Sequence, residues 1–325
     1  MCKLKMVRDI VLLFAACVLL LLVVSPEGVM DLIVPGKNSN ENPNSRAQGR
    51  KVIDVIDFSG DGAISGEKTA AGTLDNRGNL PGSGGNQTIE KSFTWIDTKQ
   101  EQKETILHIH DEELKKEIKK FGVPHNMSHP FFLKKRGFTV VGKSNYLENH
   151  TVSERLVSIV DYRQVFERNL QYFPKYTGAI LTTAELPTGT DPLYTLLLFV
   201  QHIRYELPPV YYKGKFINSF FVPLVCLFEQ YGDCDSKSLL LAEILCTVPS
   251  AQEKTAMVLI RGRGLSHALL AVKRKPLPVQ TSLFDIKKGY YVVLETTRPG
   301  WTPGFVNARV ADALKAGFFA FVELN

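Results

Sequence analysis

The sequence predicts an α+β protein, and three observations predict it. Beyond about residue 190, two apolar stretches with helical spacing precede three short β-rich runs, an order of helix, helix, then antiparallel strands. Before residue 185 a shorter mixture of helix and strand signals reads as a small α/β N-terminal part. Ahead of both, Gly and Asn dominate and apolar residues are scarce, so no core is expected there. The chain has 325 residues, 44% hydrophobic and 22% charged, which leaves room for a sizeable core in one or two domains. The expected organisation is 1–27 as a membrane segment, 28–90 as a flexible tether, 91–185 as the accessory part and 186–325 as the principal domain.

Residues 10–24, IVLLFAACVLLLLVV, form an unbroken apolar run behind Lys3, Lys5 and Arg8. As a helix the run reaches about 22 Å, short of a ~30 Å hydrocarbon core, which favours a signal peptide. The best cleavage site would follow Ser25 and put Pro26 just after the cut, which favours an uncleaved anchor, the preferred reading. Either way the basic flank stays in the cytoplasm and the rest of the chain is exported. Residues 28–85 hold 11 of the 24 glycines and read as the tether. Within it, Asp57 to Glu67 match the opening of a calcium-binding EF-hand loop, but Lys68 stands where the bidentate Glu belongs, so a polar turn is the better reading. Asn86, Asn126 and Asn149 lie in glycosylation sequons, which matter only in a eukaryotic secretory pathway.

In the accessory part, Leu114, Ile118 and Phe121 recur at helical spacing behind Asp111, an expected N-cap, with Gly122 as the stop. GFTVV reads as a strand, and Val152 to Phe173 as a second long helix. A helix is then expected from Asp191, with Pro192 in its first turn, and another at or next to Cys234 with Leu240, Leu241, Ile244 and Leu245 on its buried face. TAMVLIRG, SHALLAVKR and GYYVVLETT are the three strands.

A net charge of +6, with Lys and Arg interspersed among Asp and Glu, describes a solvated surface and excludes a nucleic-acid stripe. No zinc-ligand spacing, Walker loop or dinucleotide fingerprint occurs, so neither a metal nor a cofactor is expected. Cys226, Cys234 and Cys246 are the cysteines of the exported body, an odd number that leaves at least one free thiol; a Cys226–Cys246 disulfide would spare Cys234.

Cys234 stands in GDCD ahead of a Leu-rich helical run. Unpaired N–H groups and the dipole at a helix N-terminus favour a thiolate, the nucleophilic form of cysteine. His267 opens SHALLAV, 33 residues on, and Glu295 ends YYVVLE another 28 residues along. If those strands are neighbours, the carboxylate can orient the imidazole toward the thiol. Each residue taken singly has a commonplace structural explanation: a packed cysteine, a satisfied histidine, a solvated glutamate.

The run FVQHIRYE … YGDCDSKSLLLAEIL … LSHALLAV … YYVVLETTRPGW resembles the transglutaminase-like domain of prokaryotic exported proteins, over roughly residues 190–305. The resemblance implies a papain-like core, in which the helix bearing the cysteine packs on an antiparallel sheet. It also implies a Cys–His–acid triad carried onto Cys234, His267 and Glu295. Two departures are visible: HALL replaces the usual His-Ala-Trp, and Glu-Thr-Thr replaces the usual Asp-Pro-Thr. The expected function is a membrane-tethered thiol enzyme that cleaves or transfers the acyl group of a protein or peptide, with hydrolysis favoured. The alternatives are a crosslinking transamidase and a non-catalytic scaffold. The backbone N–H of Cys234 is the first expected oxyanion donor, with Gln201, by analogy with papain-type sites, or Tyr205 as the second. Asp233 and Asp235 are expected as framing residues, with Lys237 as their counter-charge, and Trp301 as a wall of the acyl pocket.

Overall fold

The structure is a computed structural model that describes the backbone of residues 52–55 and residues 87–325, apart from 125–129, 149–150, 188, 249–252, 263–264, 277–279, 281 and 286–288. The membrane segment and the EF-hand-like turn lie outside the described residues, as does the expected tether of 28–90 apart from Val52–Val55 and residues 87–90, which are strand or lead into one. Among the described residues no helix is long and apolar enough to cross a membrane.

The described part opens on a hairpin of strands β1 (Thr88–Ile96) and β2 (Gln102–His110). Phe93 and Trp95 alternate with exposed Ser92 and Thr94, the period expected of a strand with one buried face. Asp97 closes the turn by accepting the backbone N–H groups of Lys99 and Glu101. Helix α1 (Asp111–Lys120) follows; its N-cap is His110, one residue before the expected Asp111, and Asp111 instead pairs with Lys115.

Residues 152–173 are a correction. The structure has strand β3 (Phe138–Glu148) antiparallel to β4 (Thr151–Val160), and only then helices α2 (Tyr162–Asn169) and α3 (Phe173–Ala184), joined by a 3-10 turn. The β-branched run TVSERLVSIV favours strand, and Asp161 starts the helix by accepting the N–H of Gln164 at 3.1 Å. The short strand Val52–Val55 pairs in parallel with β4.

Helices α4 (Leu193–His202), α5 (Pro223–Glu229) and α6 (Cys234–Cys246) come next. Every residue of α6 from Asp235 to Leu245 is buried, so this helix is the axis of the core and not an amphipathic surface helix. Strands β5 (Thr255–Gly262), β6 (Leu265–Lys273), β7 (Ser282–Asp285), β8 (Gly289–Leu294) and β9 (Phe319–Glu323) form one antiparallel sheet in the order β7-β8-β6-β5-β9, with helix α7 (Ala308–Lys315) between β8 and β9 in sequence. The three expected strands are β5, β6 and β8, and their antiparallel pairing is as expected.

Both faces of this sheet are covered, which explains why its strands are apolar at nearly every position. Met257, Leu259, Ala268, Leu270 and Leu294 join the main core with α6, whereas Ala256, Val258, Ile260, Leu269, Ala271 and Val293 pack with Val310 and Leu314 of α7. Phe93, Trp95, Phe166 and Phe173 belong to the same main core as α6, so the segments before and after residue 186 share one interior. The described architecture is a mixed α/β fold with several antiparallel sheets.

Candidate active site

The approach to Cys234 is built from two short extended pieces. Arg204–Tyr205 runs parallel to Tyr231–Gly232, and the N–H of Glu206 donates to Gly232 O at 3.2 Å. Gly232 is required by crowding: a Cβ there would lie 2.8 Å from Cys226 Sγ and 3.1 Å from Ser236 Cβ. Asp233, with extended backbone, caps α6 by accepting the N–H of Ser236 at 3.2 Å, which makes Cys234 the first helical residue. Its backbone N–H is one of the unpaired donors of a helix start.

The thiol reaches a place where the sheet splits. Pairing of β6 with β8 begins at Leu270–Leu294, and towards His267 the strands part. Side chains one turn apart on α6 fill the gap. The backbone amide of Ala268 favours the Cys234 thiolate, and Ser238 Oγ lies 3.5 Å from Ala268 O and 3.2 Å from Thr296 Oγ1. The residue before Ala268 is His267, whose Nε2 is 2.7 Å from Glu295 Oε2. The other carboxylate oxygen accepts Thr297 N at 2.9 Å and Thr297 Oγ1 at 2.6 Å. Burial would raise the Glu295 carboxyl, but the His267 ring and the two Thr297 donors together hold it below the ordinary value. It is therefore an ionised acceptor, so the His267 nitrogen that faces it, Nε2, carries a proton.

The helix N-terminus does not win at the thiol. Burial first, then the charges of Asp233, Asp235 and Glu295, push Cys234 well above the ordinary thiol value, and the Ala268 amide offsets only part of this. All three body cysteines are free, so the Cys226–Cys246 disulfide is absent. Burial pushes Cys226 up to about 12 and Cys246 up to about 11.

Burial, then the neighbouring Asp235, drives Asp233 well above the carboxylate range, and Asp235 accepts from Tyr162 Oη at 2.7 Å. Lys237 is not the counter-charge that was expected. Its Nζ donates to Gln201 O at 3.2 Å and Ile203 O at 2.6 Å, capping the C-terminus of α4, and burial lowers it to about 8.

Gln201 is fully engaged elsewhere than expected. Its Nε2 donates to Glu295 O at 2.8 Å and Trp301 O at 2.9 Å, and its Oε1 accepts Gly300 N at 3.0 Å. Both amide hydrogens are spent on main-chain carbonyls, so the side chain fastens the loop after β8 and has none left for an oxyanion. Tyr205 lies just past α4, beside Gly232, and is 55% exposed. Partial burial and the charges of Cys234, Asp233, Asp235 and Glu295 raise its phenol, which therefore stays protonated and able to donate. Trp301 borders a hollow of about 200 Å³ with Gly300, Thr302, Phe305 and Val306. No group of three or more His, Cys, Asp or Glu residues fit to hold a metal occurs among the described residues.

No protein-family model and no curated protein matches the chain. Among solved structures it is similar to Legionella pneumophila LapG, with 17% identity, 45% of this chain and 84% of that chain covered, and a TM-score of 0.26. A likeness of that size carries no argument.

Proposed function

We propose that the chain is a thiol enzyme of the acyl-transfer class with a papain-like, transglutaminase-like core, held outside the cytoplasm by its N-terminal apolar segment and acting on protein or peptide substrates. The observation that carries the reading is the His267–Glu295 contact of 2.7 Å, with Cys234 at the start of α6 sensing both Glu295 and the amide of Ala268, the residue after His267. A protonated Cys234 suits a neutral pair, in which Nδ1 of His267 takes the thiol proton as sulfur attacks the carbonyl carbon. Glu295 steadies the imidazolium. The Cys234 N–H, with Tyr205 Oη as second donor, receives the oxyanion. Collapse breaks the C–N bond, the imidazolium protonates the departing amine, and water then cleaves the thioester to release the acid and restore the thiol. Hydrolysis is preferred over transamidation because no amine-acceptor device is visible and water is always present.

The raised thiol supports a second reading, a scaffold without catalysis. Alkylation with iodoacetamide separates them. In the enzyme, His267→Ala slows labelling of Cys234 at pH 7 by tenfold or more, and Cys234→Ala abolishes hydrolysis of a panel of exported proteins and cell-wall peptides. Labelling indifferent to His267, with equal activity in the Cys234→Ala variant, would sink the enzymatic reading.

A further inference from the structure

Strand β1 is at the edge of its sheet: β2 is its single ladder partner among the described residues. Which of its backbone groups face outward follows from the turn. Asp97 N donates to Glu101 O at 2.9 Å, so the hydrogen-bonded pairs recur at every second residue, Trp95–Lys103 and Phe93–Thr105. The residues between, Ser92 and Thr94, turn their N–H and C=O away from β2. Gln230 Nε2 reaches Ser92 O from that side, which agrees with this parity. Thr94 has no partner for its outward groups among the described residues.

Beside this edge lies a hollow of about 350 Å³, lined by Ser92 to Trp95 of the strand, by the apolar Phe199 and Ile203, and by His202, Arg204, Glu229 and Gln230. That volume is in the ~300–1,000 Å³ range of ligand pockets. Its polar groups are partly committed: His202 Nδ1 donates to Leu198 O at 2.8 Å, and Arg204 is paired with Glu206 at 2.8 Å. The lining continues directly into the Arg204–Tyr205 and Tyr231–Gly232 pieces that lead to the thiol. Two residues, Gly232 and Asp233, separate Tyr231 from Cys234, three steps or at most ~10 Å of extended chain.

We propose that this hollow is the binding cleft for an extended polypeptide, which adds to the free edge of β1 as a third strand and runs on past Tyr205 to Cys234. This rests on the reading of the chain as an acyl-transfer enzyme acting on polypeptides. Main-chain pairing along an edge gives affinity that tolerates many side chains, while alternate side chains enter the hollow or face solvent. Polar side chains of the peptide are then favoured at the positions facing His202 and Gln230, and apolar ones at those facing Phe199 and Ile203.

The test is amide hydrogen exchange on the Cys234→Ala full chain, with alkylated wild type as duplicate, before and after adding a millimolar tryptic digest of carboxymethylated α-lactalbumin. In the free protein Ser92 and Thr94 exchange rapidly while Phe93 and Trp95 are protected. The digest slows Ser92 and Thr94 at least tenfold and leaves Phe93 and Trp95 unchanged. No slowing, or slowing without that alternation, overturns the cleft. Cleavage of the same digest by wild type is read in parallel. Cleavage without protection keeps the enzyme and removes the cleft, whereas protection without cleavage keeps the cleft as a binding groove and removes the enzyme.

Discussion

Replacing Gln201 with Leu separates two roles that one side chain can have near a thiol. Gln201 is 2% exposed and ties Glu295 O, Trp301 O and Gly300 N together. Leucine keeps most of the volume and removes all three hydrogen bonds. Glu295 O is the fully buried partner, and an orphaned buried carbonyl costs ~1–3 kcal/mol. Trp301 O and Gly300 N are partly buried and regain some hydration, so the summed loss is about 2–4 kcal/mol. For a body of this size that lowers Tm by roughly 4–16 °C. Urea unfolding followed by tryptophan fluorescence gives the free energy, and iodoacetamide labelling of Cys234 gives the state of the site. The expected result is lost stability together with slower labelling, because Glu295 no longer holds His267 at a fixed place. An oxyanion donor behaves differently: its removal costs ~10²–10³ in kcat and leaves stability alone. A Gln201→Leu protein as stable as wild type but slowed in kcat would refute the clamp.

Three further outcomes follow from buried groups in α6 and its approach. Glu243 is fully buried with neither carboxylate oxygen hydrogen-bonded, and burial, then Glu117, push its pKa well up. Above the unfolded value of ~4.3 the unfolded chain holds fewer protons than the folded one, so stability falls as pH rises through that value. Glu243→Gln removes this slope and is more stable at pH 8 by ~1 kcal/mol or more in paired urea titrations. Lys237, lowered to about 8, has the opposite sign: wild-type stability rises from about pH 8 towards 10, Lys237→Met loses that rise, and denaturation at pH 7 reads a cost of ~2–4 kcal/mol for two orphaned carbonyls. Gly232→Ala forces a Cβ to within 2.8 Å of Cys226 Sγ and costs ~1–3 kcal/mol, and adding Cys226→Ala recovers most of it in a double-mutant cycle.

Much of the scaffold around Cys234 is legible in local pattern. GDC ahead of a Leu-rich run marks a helix start, and Asp233 is the cap that such a start needs. The three apolar runs after residue 254 are strands in the expected antiparallel order. Local pattern misled at Val152, where an amphipathic-looking run became β4 because β3 was there to pair with it. The β1–β2 hairpin is legible in the period-two alternation that turns Phe93 and Trp95 inward and Ser92 and Thr94 outward.

What chain-local chemistry settles is therefore the residue types, their order and the ends of the elements near the thiol. Long-range packing settles the chemistry of each group, since burial and distant charges are properties of position in space. The helix N-terminus argued for an acidic thiol, but burial and the carboxylates of Asp233, Asp235 and Glu295 raise it. Gln201 and Lys237 were read as an oxyanion donor and a counter-charge, yet carbonyls about 100 and 35 residues away claim them. Asp233 is raised because the core closes over it beside Asp235, whose own partner, Tyr162, comes from a distant helix. Sequence neighbours name the groups; their solvation and partners, supplied by distant segments, decide which of them carry charge.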